Sequence, residues 1–202
     1  MYKRSEISTG NSNWQADAYL IDLMRLYNPK SILDIGVGKW AKIGNLVRRS
    51  IDEWNWIAYQ QSPIILSGIE GHGANIDYIN NNYPNIYDML TLHMIDTMES
   101  KLEILKLCAD GQYPDVIVMG DIIEHFEKEA ISVFINSLSI ITKKAIIVQL
   151  PLGKYEQIVE INPLENHRST WLYEDIQKLR PAGLRKFIDW VGRDFVVFSI
   201  PS

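Results

Sequence analysis

Cysteine is almost missing from this chain: Cys108 is the single one in 202 residues. That excludes an internal disulfide and a thiolate metal cluster, and its place in an apolar series marks it as a small buried hydrophobe. No apolar run approaches the roughly 18 residues of a membrane-crossing helix. The opening Met1-Tyr-Lys-Arg-Ser-Glu-Ile7 has no apolar leader core. A cytoplasmic protein without a membrane partner is therefore expected. Positive charge is not in excess either, with 20 Lys and Arg against 25 Asp and Glu and a formal charge of -5. The chain thus lacks the basic footprint of a nucleic-acid binder. Lys39, Lys42, Arg48 and Arg49 gather in one helix and read as a solvated face. No repeat, low-complexity segment or Pro/Gly/Ser-rich linker divides the chain. With 47% hydrophobic residues it is expected to form a single domain over 1–202, with 1–28 as an N-terminal helical cap.

What the chain does have is a series of short apolar runs that each end at an acid. Ser31-Ile-Leu-Asp-Ile-Gly-Val-Gly38 is the first. Ile64-Ile-Leu-Ser-Gly-Ile69 precedes Glu70, Leu90-Thr-Leu-His-Met-Ile95 precedes Asp96, and Val116-Ile-Val-Met-Gly120 precedes Asp121. Such runs read as buried parallel strands whose carboxyl ends open into loops, where ligands of open α/β sheets bind. Ala145-Ile-Ile-Val-Gln149 is a fifth strand. Leu184–Trp190 and Phe195–Ile200 are two more, and their four-residue connection permits only an antiparallel hairpin.

Helices alternate with the strands. The spacing predicts an opening helix over Trp14–Tyr27, capped by Asn13, with Trp14, Ala18, Ile21 and Met24 on its apolar face and Pro29 as its stop. Further helices hold Ile43, Leu46, Val47, Ile51 and Trp54; Ile76 and Ile79; Met98, Leu102, Leu105 and Ala109; and Ile131, Phe134, Ile135 and Leu138. A last one is predicted with Ser169 as its cap and Leu172, Ile176 and Leu179 on one face. The fold class that follows is α/β: a Rossmann-like, mostly parallel seven-stranded sheet, helices on both faces, and an antiparallel C-terminal strand.

Gly36 and Gly38 allow a sharp turn and a close ligand approach after the first strand. Glu70 is placed to accept hydrogen bonds from both hydroxyls of a ribose, and Asp96 from an exocyclic adenine amine. Asp34 suits a cationic or amine-bearing ligand and would repel a pyrophosphate. A ligand joining ribose, adenine and an α-amino group is S-adenosyl-L-methionine. The order of motifs from Ser31 to Ser202 resembles the class I S-adenosylmethionine-dependent methyltransferases. More narrowly, Asp34-Ile-Gly-Val-Gly-Lys-Trp40, Gly68-Ile-Glu-Gly71, Gly120-Asp-Ile-Ile-Glu-His-Phe-Glu-Lys128 and Asn162-Pro-Leu-Glu-Asn-His-Arg-Ser-Thr-Trp171 look like a group of small stand-alone bacterial methyltransferase-like proteins. The resemblance implies cofactor contacts at Asp34, Ile35, Gly36, Gly38, Glu70, Gly71, Asp96, Thr97, Gly120 and Asp121. Two departures stand out: no third glycine follows Gly38 until Gly44, and Gly36 lies farther from Glu70 than the roughly 20 residues of dinucleotide folds.

Methyl transfer from a sulfonium is an in-line displacement, so the protein must align the acceptor and, for a hydroxyl or ammonium, remove a proton. Asp121, His125 and His167 are the catalytic candidates, with His125 the leading base because imidazole titrates near neutrality. The alternative reading is that Glu124 and His125 cap the next helix and brace the loop. Small-RNA 2′-O-methyltransferases hold a divalent metal on a similar Glu-His element. Here acids such as Glu129 stand where a further histidine is expected, so no metal set is assigned, and His167 is the residue that could complete one or act as base. Arg168 is placed to grip an anionic acceptor, while His93 reads as a mid-strand histidine. Trp14 and Trp40 are candidates to stack on acceptor or adenine. The acceptor expected is a small molecule or sugar-containing metabolite, not nucleic acid. A homodimer is expected if the apolar strand Phe195–Ile200 lies at a sheet edge. Two rival readings stay open: an NAD-binding oxidoreductase, since Gly36-x-Gly38-x-x-Ala41 fits a dinucleotide fingerprint, and a non-catalytic binding module.

Overall fold

The computed structural model describes residues 14–53, 63–95 and 101–202. Seven strands form one sheet in the order β3-β2-β1-β4-β5-β7-β6. Their ranges are β1 Ser31–Ile35, β2 Ile65–Glu70, β3 Met89–Leu92, β4 Val116–Gly120, β5 Ala145–Pro151, β6 Ala182–Ile188 and β7 Asp194–Pro201. The first five are parallel, and β7 runs antiparallel between β5 and β6. The expected mixed sheet is what the chain forms.

Side-chain alternation divides the core in two. Ile32, Val116, Val118, Ile147, Phe195 and Val197 meet α1 (Asp17–Tyr27), α2 (Lys42–Glu53) and α3 (Gly73–Asn82) on one face. Leu33, Ile117, Met119, Ile146, Val148 and Phe198 meet α4 (Lys101–Lys106), α5 (Lys128–Ile140) and α6 (Tyr173–Lys178) on the other. Strand β1 is buried along its whole length, as a central parallel strand covered on both faces must be.

Several local expectations change. The opening helix starts at Asp17, with Trp14–Ala16 forming a turn before it, so its buried face carries Leu20, Ile21, Leu23 and Met24 while Trp14 and Ala18 are exposed. Asn28 ends it in the left-handed conformation, one residue before Pro29. Asn13, Trp54, Trp56 and Met98 lie outside the described residues. Helix α6 is capped through Asp175, whose carboxylate accepts from the Leu172 amide at 3.0 Å. Ser169 instead bonds the Glu124 carbonyl and the Trp171 indole, and Leu172 is exposed. Trp171 is buried and Trp190 lies exposed at the end of the β6–β7 hairpin. The closing apolar strand is interior, because β6 covers its outer edge; the edge-pairing route to a homodimer is therefore closed for β7. Lys42 and Arg48 are not a solvated face: Lys42 pairs with Asp17 at 2.9 Å, and the Arg48 guanidinium bonds Ile86 O, Ile64 O and Asp88.

Phe198 is fully buried where β7 meets the α5 and α6 side. Phe198→Ala is expected to cost about 3–5 kcal/mol of folding free energy, measured by urea unfolding.

Candidate functional site

The strand order reverses between β1 and β4, and in open α/β sheets that is where a crevice forms beyond the carboxyl ends. A cavity opens there. It is lined by Ile35, Gly36 and Gly38 after β1, Glu70 and Gly71 at the end of β2, and Gly120 and Asp121 at the end of β4. His125 and His167 complete its wall. Nine of the expected site residues are thereby brought together by four separate segments.

The glycine turn is built for close approach. Gly36 has φ of +77°, and a Cβ there would lie 2.6 Å from Ile122 Cδ1. Its amide and that of Val37 bond the Ile69 carbonyl at 2.9 and 3.3 Å, tying the turn to β2. The Gly38 amide then donates to Glu70 Oε2 at 2.7 Å and the His72 amide to Oε1 at 2.8 Å. Burial raises the Glu70 carboxyl above its usual range, and the His72, Gly38 and Asn75 donors pull the other way.

Asp34 does not reach this cavity. It sits one residue before the strand end, on the face toward α2 and α3, and is 1% exposed. There Tyr87 Oη donates to its Oδ2 at 2.6 Å and itself accepts from the Gly44 amide at 3.2 Å. A Cβ on Gly44 or Gly68 would meet the Tyr87 ring at 2.9 and 3.0 Å, so the glycine that follows the turn makes room for this tyrosine. Asp96 and Thr97 lie outside the described residues, although His93, Met94 and Ile95 just before them line the cavity. His93 is not a mid-strand residue: β3 ends at Leu92, and the His93 amide bonds the Glu70 carbonyl at 2.9 Å.

On the β4 side, Asp121 takes φ of +52°, a conformation that costs a non-glycine residue about 1 kcal/mol or more and that clusters at functional sites. Gln149 holds it there, its carbonyl accepting the Asp121 amide at 2.8 Å and its Nε2 donating to Asp121 Oδ2 at 3.0 Å. Lys42 Nζ donates to Gln149 Oε1 at 3.2 Å. Asp17, Lys42, Gln149 and Asp121 thus form a polar chain from α1 to the cavity.

Glu124 and His125 occupy a single turn of 3-10 helix, Ile123–His125. The loop after β5 fastens onto it, with the Arg168 and Ser169 amides donating to the Glu124 carbonyl at 2.9 and 3.0 Å. Both ring nitrogens of His125 face backbone carbonyls, Nδ1 that of Asn166 at 3.3 Å and Nε2 that of Asp121 at 3.1 Å. Burial, followed by lesser charge effects, pushes its pKa down to about 4, so the ring is neutral and can donate only once. His167 lies edge-on to it, centroids 5.1 Å apart, and its Nδ1 bonds the Tyr155 carbonyl at 2.7 Å. That bond sets the tautomer and leaves Nε2 as the basic atom. Burial also lowers the His167 pKa. Glu124 is 2% exposed, its Oε2 has no hydrogen-bond partner among the described residues, and burial, with the Asp121 charge beside it, raises its carboxyl well above the usual range. One donor atom from each of Glu124, His125 and His167 lies within 4.8 Å of the others, a set able to hold a metal ion.

Trp40 lines the cavity with its ring edge-on to Tyr78, whereas Trp14 does not line it. Sequence reasoning passed over Lys42, Asn75, Gln149 and Glu165. Asn75 had a signal, because it falls on the buried face of α3 four residues before Ile79. Gln149 had one too, as the polar member of an apolar strand.

No family model and no curated protein matches the sequence. Solved structures do. The methyltransferase domain of the bacterial protein CtHen1-CN aligns with a TM-score of 0.56 at 15% identity, covering 92% of this chain and 98% of that one. Magnesium protoporphyrin IX methyltransferase from Synechocystis, with bound S-adenosylmethionine, gives 0.60 at 11% identity over 98% and 88%. A Burkholderia thailandensis 1,6-didemethyltoxoflavin-N1-methyltransferase gives 0.61 at 7% identity over 93% and 78%. The chain has the class I methyltransferase fold.

The buried Asp34–Tyr87 pair makes a pH-dependent contribution to folding. Burial raises Asp34 from 3.8 to about 7, so the folded protein holds a proton that the unfolded chain releases. Its stabilising contribution is complete below about pH 4 and is lost as pH rises through about 7. Asp34→Asn removes this dependence. The unfolding free energy of the wild type is expected to fall relative to the variant between pH 5 and 8, by at most about 1.4 kcal/mol per pH unit, as read from urea unfolding at each pH.

Proposed function

We propose that this protein is an S-adenosylmethionine-dependent methyltransferase that methylates an oxygen or nitrogen of a small molecule or sugar-containing metabolite. One observation carries the reading: a buried carboxylate, Glu70, pinned by the Gly38 and His72 amides at the mouth of a glycine turn, beside the topological switch point. A strand-end acid of this kind suits ribose hydroxyls. Gly36 and Gly38 both take positive φ, +77° and +61°, so the turn is tight and brings backbone to the cavity wall. The residues fit the nucleoside.

When bound, S-adenosylmethionine supplies an electrophilic methyl on its sulfonium. The chain's own residues do the rest. Ile35, Gly36, Gly38, Glu70 and Gly71 hold the nucleoside, with Asp96 and Thr97 proposed at its adenine end. Asp34 acts through Tyr87 to brace the turn from below. Gly120 and the strained Asp121 shape the mouth where the acceptor meets the methyl group. His167 Nε2 receives the acceptor's proton, since its other nitrogen is fixed as the donor to Tyr155. His125, locked between two carbonyls, is a positioning residue for the loop. A site lined on one side by Tyr155, Gln157 and Asn162 suits a small polar acceptor.

A second reading of the same wall is a divalent cation at Glu124, His125 and His167, favoured by the orphaned Glu124 oxygen and the clustered donors. A carboxylate with two imidazoles suits manganese, iron, cobalt or zinc better than calcium.

Calorimetry is expected to show one molecule of S-adenosylhomocysteine bound per chain and none of NAD. Glu70→Ala should weaken that binding by about tenfold or more, given the worth of a charge-assisted hydrogen bond. Binding of NAD alone would overturn the methyltransferase reading. His167→Ala should leave S-adenosylhomocysteine affinity within about twofold while lowering kcat in methyl-transfer assays against hydroxyl and amine acceptors by about 10²-fold. Under the cation reading, wild-type protein binds one Mn²⁺ by electron paramagnetic resonance and the Glu124→Gln, His167→Ala double variant binds none. No uptake by the wild type would leave His167 as the base.

A further inference from the structure

A carboxylate offers about four lone-pair sites, and Glu70 has committed three of them to the Gly38 amide, the His72 amide and the Asn75 side chain. One remains for a ligand. A ribose brings two hydroxyl donors, so the site as read from Glu70 alone is one acceptor short.

The missing acceptor stands on the loop after β5. Glu165 lines the same cavity and ends a 3-10 turn, Pro163–Glu165. Its Oε1 accepts from Asn162 Nδ2 at 3.2 Å, while its Oε2 is closed to solvent and has no hydrogen-bond partner among the described residues. Native proteins leave few buried polar atoms in that condition, and each one asks for a cause. Here the cause is local. Glu165 and Glu70 line the same cavity, and burial, with a lesser contribution from the Glu70 charge, raises the Glu165 carboxyl. The loop is also seated where a nucleoside would be covered: a Cβ on Gly71 would lie 2.8 Å from Leu164 Cδ1. The Gln157 side chain holds the Glu165 carbonyl at 2.9 Å, and the Asn166 side chain accepts from the Val159 amide at 2.7 Å, which stiffens the segment.

We infer that Glu165, carried on the loop after β5, binds one ribose hydroxyl of the nucleoside while Glu70 binds the other, so that this loop clasps the methyl donor as well as shaping the acceptor side. The inference rests on the S-adenosylmethionine reading above and deepens it. It makes loop closure over the nucleoside and placement of His167, two residues further on, a single event.

Calorimetric titration of S-adenosylhomocysteine and its 2′-deoxy and 3′-deoxy analogues into wild type, Glu165→Ala and Glu165→Gln tests it. Glu165→Ala should weaken S-adenosylhomocysteine about tenfold, and Glu165→Gln, which keeps a carbonyl acceptor, should recover most of that. One deoxy analogue should bind wild type and Glu165→Ala alike, because the hydroxyl in question is gone from it. An unchanged affinity in Glu165→Ala, or the same fold-loss for all three ligands, would overturn the contact; the second result would make Glu165 a purely structural loop residue. A wild type that binds none of the three would sink the cofactor reading itself, a different failure from a wild type that binds while Glu165→Ala is unaffected. Thermal unfolding of both variants within a few degrees of wild type establishes that the fold is kept.

Discussion

The Glu70 carboxylate and the two backbone amides that grip it are the hinge of this molecule. Removing an anion from water is expensive unless donors replace the lost hydration, and here the replacements come from two different loops. Gly38 belongs to the turn after β1 and His72 to the start of α3. Satisfying one buried acid therefore fixes the glycine turn relative to the end of β2, and the cavity takes its shape from that fixation. Beneath it, the Tyr87–Asp34 bond and the Gly44 amide pin α2 to β1, so the turn is braced from within the core.

The opposite wall is held by a different logic. Asp121 takes a left-handed backbone that a glycine would adopt more cheaply, and Gln149 holds it with both main chain and side chain. The Glu124 carbonyl receives two amides from the loop after β5, so that loop is tied to the turn Ile123–His125 just past the β4 end. His125 and His167 are kept neutral by burial. Neutral imidazoles can take a proton or ligate a metal, and a charged ring could do neither. The wall's chemistry is thus set by desolvation more than by neighbouring charge.

Much of this was legible in the residues. The apolar runs before Glu70 and Asp121 mark the ends of β2 and β4, whereas β3 stops at Leu92, short of its run, and the short final link makes the last hairpin antiparallel. Glu70, Gly36 and Gly38 stand where the pattern put them, because strand ends and glycine turns are local features. Asp34 was misread for a period-2 reason: a residue one step inside a strand faces the core, and only the tertiary fold shows Tyr87 waiting there. His125 looked like the base from its type, yet the carbonyls of Asn166 and Asp121 that occupy its nitrogens come from outside its own turn. Gln149 bonds Asp121 and Lys42 across 28 and 107 residues of chain, partners that spacing along the sequence does not reveal. Whether the closing strand lay at an edge was open in the sequence, because two strands joined by a hairpin can add to a sheet in either order; here β6 takes the edge.

The central claim is that this cavity holds an adenosine whose ribose sits on Glu70 and whose sulfur points at the β4 end. A crystal structure of the protein with S-adenosylhomocysteine tests it most directly. The account requires a ribose hydroxyl within about 3 Å of a Glu70 carboxylate oxygen and the sulfur beside Gly120 and Asp121. Nucleoside density elsewhere on the protein, or a cavity that stays empty at saturating ligand, would contradict it.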